Sequence, residues 1–149
     1  MSISTDIKQE HFFSPKQKAL INIFYTFSQL DSEVKNIVGC YDILPQHFNV
    51  LKILKGAHGK PVTPGYILDV MLDKTRDLTR LVDKLVKLGY VKRQVNEENR
   101  RSILLTLSKH GLEKTNEIDA KVNAFILSKI HLEDEECEVL SSLLDKLRG

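Results

Sequence analysis

Residues 63–107 read TPGYILDVMLDKTRDLTRLVDKLVKLGYVKRQVNEENRRSILLTL, and the order of their periodicities decides the fold. Thr63-Pro64 is a helix start, with a hydroxyl side chain at the cap and proline at the first helical position. That short helix runs to about Val70. A tight connection, Met71-Leu72-Asp73-Lys74, leads to a second helix from about Thr75 to Leu88, with Leu78, Leu81, Val82, Leu85 and Leu88 on its buried face. Gly89 supplies the left-handed stop. The hydrophobic period then falls from 3.6 residues to about two. Tyr90–Val95 and Ser102–Leu107 read as two strands around the polar turn Asn96-Glu97-Glu98-Asn99. Helix, tight turn, helix, hairpin is the order of a winged helix–turn–helix. The fold class is therefore mainly α with a small β-hairpin wing.

Outward from this segment the chain is helical on both sides. Ser14-Pro15 repeats the cap-plus-proline start, and Leu20, Ile23, Phe24, Phe27, Leu30, Val34, Ile37, Val38 and Tyr41 follow at three- and four-residue intervals. This is one apolar stripe on a helix of about 24 residues, about 36 Å long. Such a stripe needs partners beyond a small local core. Pro45 starts the next helix, with Phe48, Val50, Leu51, Ile53 and Leu54 apolar, and Gly56-Ala57-His58-Gly59 closes it. Beyond the hairpin, Ser108 caps a long helix predicted to turn Leu112, Thr115, Ile118, Val122, Phe125, Ile126 and Ile130 inward. A last helix opens at Leu132-Glu133-Asp134-Glu135 and carries Cys137, Leu140, Leu143, Leu144 and Leu147. We divide the chain into a winged part, 43–107, and a helical part, 1–42 and 108–149, within one continuous domain.

The net charge of the 149 residues is only +2, but it is unevenly spread. Nine basic residues between Lys74 and Arg101 face four acidic ones, so this segment carries +5 and the remainder −3. A basic segment on a near-neutral protein marks a localised polyanion site. The second helix of a helix–turn–helix fits the major groove of duplex DNA, where each base pair shows a distinct edge. Opposite the buried leucines, its first turns would present Lys74, Thr75, Arg76, Thr79 and Arg80. Arginine is the side chain best suited to bidentate guanine contact, and the threonine hydroxyls serve phosphates or bases. Asp77 is read as a cap favoured by the helix dipole, not as a DNA contact. On the wing, Arg100 and Arg101 flank the turn, with Lys92 and Arg93 on the opposing strand. They suit phosphates or the narrow minor groove. The plainer alternatives are a solvated charged helix face and cross-strand pairing of the wing arginines with Glu97 and Glu98.

These residues carry a family resemblance. Thr79-Arg80-Leu81-Val82-Asp83-Lys84-Leu85, Gly89-Tyr90-Val91, Asn99-Arg100-Arg101 and Leu107-Ser108 up to Gly111 together resemble the MarR (multiple antibiotic resistance regulator) family. The resemblance implies a homodimer binding a pseudopalindromic operator, usually as a repressor, with the long first helix and the last two helices forming the dimer interface. It implies two recognition helices about 34 Å apart, one DNA turn. It also implies release by a small, often aromatic or anionic, effector in the crevice between the dimer and DNA-binding parts. The chain departs from the family pattern at Asn96 and Asn99, where wing aspartates are usual, so the Asp–Arg pair bracing the wing is missing or replaced by an Asn hydrogen bond. Leu44 stands where Thr or Ser usually caps, and Pro64-Gly65 is an unusual helix start.

Other functions find little support in the residues. A phosphate loop, a nucleophile elbow and an HExxH motif are all lacking, so no enzyme is expected and no cofactor beyond a possible small-molecule effector. The histidines show no metal-ligand spacing, and no metal is expected. Cys40 and Cys137 lie outside any CxxC spacing and suit free thiols in a reducing cytoplasm. A cysteine-based redox regulator is one alternative reading, and a winged helix used only for protein contacts is another. The 42% apolar residues include no run long enough to span a membrane. The polar N-terminus shows no export signal, so a cytoplasmic protein without membrane partners is expected.

Overall fold

The computed structural model describes residues 2–73, 77–97, 99 and 102–149. A single helical turn, α1 (Ile3–Asp6), precedes the elements foreseen from periodicity and buries Ile3. Four residues are too few to show a helical repeat, which is why no pattern announces it. The long first helix is α2 (Pro15–Gly39), whose Ser14 cap accepts a hydrogen bond from Gln17 N at 3.2 Å. Then come α3 (Pro45–Gly56), α4 (Pro64–Val70), α5 (Leu78–Lys87), strands β1 (Val91–Val95) and β2 (Ile103–Leu107), α6 (Lys109–Lys129) and α7 (Asp134–Arg148). Thr63 caps α4 by accepting from Tyr66 N, and Ser108 caps α6 by accepting from Gly111 N.

At α3 the missing cap is supplied from the other direction. Leu44 has no acceptor to offer, but Nδ1 of His47, in the first turn, accepts the Leu44 backbone N–H at 3.0 Å. A glutamate or glutamine usually makes this reciprocal bond. His47 is itself buried.

The antiparallel hairpin pairs Val91 with Leu107 through to Val95 with Ile103. Val62 extends it by exchanging both backbone hydrogen bonds with Leu105, at 3.0 and 2.9 Å. The residue leading into α4 is thus fastened to the wing's second strand. Leu51 of α3, Ile67 of α4, Leu85 of α5, Leu105 of β2 and Ile118 of α6 are all fully buried in one core. Val38, near the end of α2, completes it, so the winged and helical parts share a single interior. Between α3 and α6, the carboxylate of Asp119 takes Lys52 Nζ at 2.7 Å and Lys55 Nζ at 2.6 Å.

The start of α6 lies hard against the end of α5. Ser108 Oγ donates to Gly89 O, and Ser108 N donates to Tyr90 O at 2.9 Å. A Cβ on Gly111 would fall 1.9 Å from the Tyr90 carbonyl oxygen, so only glycine fits. Gly89 has φ +73, the left-handed conformation expected of it.

The predicted inward face of α6 is cut short. Thr115 and Ile118 are buried and Val122 packs on the core, but Leu112 at its start and Ile126 and Ile130 at its finish are exposed. The same holds for the first two-thirds of α2, where Phe24 and Phe27 are 63% and 65% exposed. Helix α7 has no buried residue at all.

Candidate nucleic-acid interface

Helix α5 is sharply two-sided. Leu78, Val82 and Leu85 are buried against the core, while Thr79 and Arg80 face outward. The helix begins at Leu78, later than the start near Thr75 that periodicity suggests, because Asp77 has non-helical backbone angles (φ −118°, ψ 38°). Nor does the Asp77 side chain make a capping hydrogen bond. Its Oδ2 instead accepts from Arg80 Nη1 at 3.1 Å, and the Arg80 side chain remains 85% exposed. Lys74, Thr75 and Arg76 lie outside the described residues.

Two further acids hold the basic surface in place. Asp42, in the left-handed conformation (φ +57) ahead of α3, pairs with Lys84. That ammonium holds the Asp42 carboxyl below the usual carboxylate range. Asp83 of α5 pairs with Arg93 of β1. Arg93 therefore ties the wing to the helix beside it, where the sequence suggested a side chain directed at DNA. This pair braces the wing by a route other than the aspartates absent at positions 96 and 99. In the turn, Asn96 N donates to Ser102 O at 3.1 Å, and Ser102 N and Ser102 Oγ donate to Asn99 O at 2.8 and 3.0 Å. Arg100 and Arg101 lie outside the described residues. Lys92 is exposed on β1.

The aspartates at 42, 77 and 83 are the positions that sequence reasoning undervalued. Asp83 lies within the TRLVDKL element and ten residues before Arg93, but a contact between helix and strand leaves no periodic trace. Beside them, Pro64, Leu68, Leu78, Thr79, Val82, Arg93 and Ile103 line a hollow of about 250 Å³ between α4, α5 and the hairpin. It lies within the winged part, not in the crevice towards the long helices. Cys40 is exposed at the end of α2, and Cys137 is half-buried on α7. Among the described residues no His, Cys, Asp and Glu side chains are grouped to hold a metal, and no helix is long and apolar enough to cross a membrane.

An outward basic helix beside a braced hairpin, on a shared helical core, defines a winged helix–turn–helix protein. Residues 41–102 match the model of the MarR family. The HTH-type transcriptional regulator PapX of Escherichia coli is 25% identical over 120 residues, which cover 80% of this chain and 73% of that protein. A MarR family transcriptional regulator from Streptomyces coelicolor, Sco5413, superposes with a TM-score of 0.78 at 22% identity, over 90% of this chain and 93% of its own. A cysteine-to-serine variant of Escherichia coli MarR, complexed with operator DNA, superposes with a TM-score of 0.72 at 22% identity over the whole of both chains. The chain thus has the fold of these proteins, and its segment 41–102 is similar to the MarR family.

Proposed function

We propose that the protein binds duplex DNA as a two-fold homodimer and represses transcription at a pseudopalindromic operator. The observation that carries this is the outward face of α5, where Arg80 stands 85% exposed beside Thr79, directly opposite the buried Leu78, Val82 and Leu85. Lys74, Thr75 and Arg76 precede it in the chain and would extend the same basic segment. Arg100 and Arg101 would meet phosphate or the minor groove from the wing. Arg93 would contribute only through those guanidinium N–H groups that Asp83 does not occupy.

Pairing is supported by the uncovered apolar surface. Phe24, Phe27, Leu127, Leu140, Leu143 and Leu147 are all exposed in the single chain, and large apolar side chains left open together mark an association surface. A small aromatic or anionic effector fits the hollow between α4, α5 and the hairpin, whose apolar lining is interrupted by the Arg93 guanidinium and the Thr79 hydroxyl. A molecule lodged there would displace α5 relative to the wing and release DNA. The cytoplasm is the compartment in which we place this activity.

The test is a titration of duplex DNA across salt concentrations. Counterion release makes a DNA binder lose affinity steeply as salt rises. Arg80→Ala is expected to lower discrimination between preferred and random duplex by about 1–3 kcal/mol, the worth of a bidentate base contact. Affinity indifferent to salt, or none at low salt, would instead assign the winged helix to protein contacts.

A further inference from the structure

Asp77 and Arg80 form an exposed ion pair on one turn of chain at the start of α5. As a contribution to stability such a pair counts for little. Its position suggests a different use. The N-terminal residues of a recognition helix are the ones that reach base edges. A carboxylate there faces a groove walled by phosphates, so it is a liability unless it serves the contact itself. Asp42 and Asp83 hold Lys84 and Arg93 at the flanks of this surface, whereas Asp77 is paired to the outward arginine of the first turn.

A guanidinium offers five N–H donors in a rigid planar fork. One of them, on Nη1, goes to Asp77 at 3.1 Å. Others remain to take guanine O6 and N7. Holding the long side chain in advance reduces the rotamer freedom lost on binding. The same carboxylate repels phosphate oxygens, which weakens any docking in which Arg80 is not satisfied by a base. Specificity often requires such a repulsive element beside the attractive one.

Resting on the DNA-binding reading above, we propose that Asp77 is a positioning residue that aims Arg80 at guanine and penalises binding to other sequences. The experiment selects bound sequences from a pool of random-sequence duplexes. It then compares the selected duplex, its guanine-to-adenine variants and unselected duplex for the native protein, Asp77→Ala, Asp77→Asn and Arg80→Ala. The native protein should prefer guanine at one position of each half-site, and Arg80→Ala should abolish that preference. Both Asp77 variants should reduce it about fivefold or more, within the range of a single bidentate contact, while binding unselected duplex more tightly than the native protein does. Opposite movements in selective and general affinity are not what a misfolded or merely loosened helix would give. A guanine preference unaltered by Asp77→Ala, or an equal loss on every duplex, would overturn the role of Asp77 alone. A native protein that binds no duplex would overturn the DNA reading on which it rests.

Discussion

His47 performs a task that its chemistry makes dependent on pH. Its Nδ1 accepts the Leu44 N–H, so the ring must be neutral with its proton on Nε2. Burial lowers its pKa below the ordinary 6.5 and the nearby Lys84 ammonium lowers it further, outweighing the opposite pull of Asp42. On acidification the unfolded chain therefore takes up this proton before the folded one does. The stability that His47 contributes is full above pH 6.5 and declines as pH falls from there through the lower folded value. We expect the urea midpoint to fall between about pH 7.5 and 5.5, and to fall less in His47→Gln, whose amide oxygen can take the same N–H at any pH. Identical pH profiles for the two proteins would refute this. Nothing in the sequence marks the residue: Leu44 reads as a helix start without a cap, and a histidine three residues on is not part of the usual capping pattern. At Ser14, Thr63 and Ser108, by contrast, residue type alone was enough, because a hydroxyl at the cap has one strongly favoured partner.

Among the elements, the junction of α5, β1 and α6 is the least tolerant. The tight turn at Gly89-Tyr90 and the cap at Ser108 bring the first turn of α6 against the Tyr90 carbonyl, and Gly111 is the point of closest approach. Gly111→Ala must push the two apart and should cost about 3 kcal/mol, the upper part of the usual range for overpacking. Thermal unfolding would show it, and a midpoint within a degree of the native one would contradict the geometry. The glycine stood in the motif from the start, but its reason, a backbone twenty-one positions earlier in sequence, did not. The start of α5 shows the opposite failure. Periodicity extends through Thr75 because the residue types permit a helix there, whereas Asp77 adopts other backbone angles and turns its carboxylate to Arg80. Ion pairs that join separate elements, such as Asp83–Arg93 and Asp119 with Lys52 and Lys55, are set by packing and have no local signature.

For the molecule as a whole, the sequence already showed apolar stripes larger than one chain could use, and the structure locates the surplus. Val38 and Ile118 anchor α2 and α6 in the core, while Phe24, Phe27 and Leu143 stand outside it. Burying each such side chain against a partner is worth about 1.5–3 kcal/mol. For the homodimer proposed above, Phe27→Glu should accordingly leave the winged core folded but shift the protein to monomer, as read by light scattering against the native protein, and weaken binding to a two-half-site duplex far more than to a single half-site. A dimer that survives Phe27→Glu unchanged would place the interface elsewhere. The bareness of α7 has a further bearing on how the proposed regulator would be removed. In the proposed homodimer, a helix with no buried residue in the lone chain would depend largely on its partner, so dilution after synthesis stops would expose it to proteolysis. Each chain degraded would leave another unaccompanied. Clearance would then accelerate as abundance fell, and the protein's own scarcity would hasten the end of its hold on a promoter.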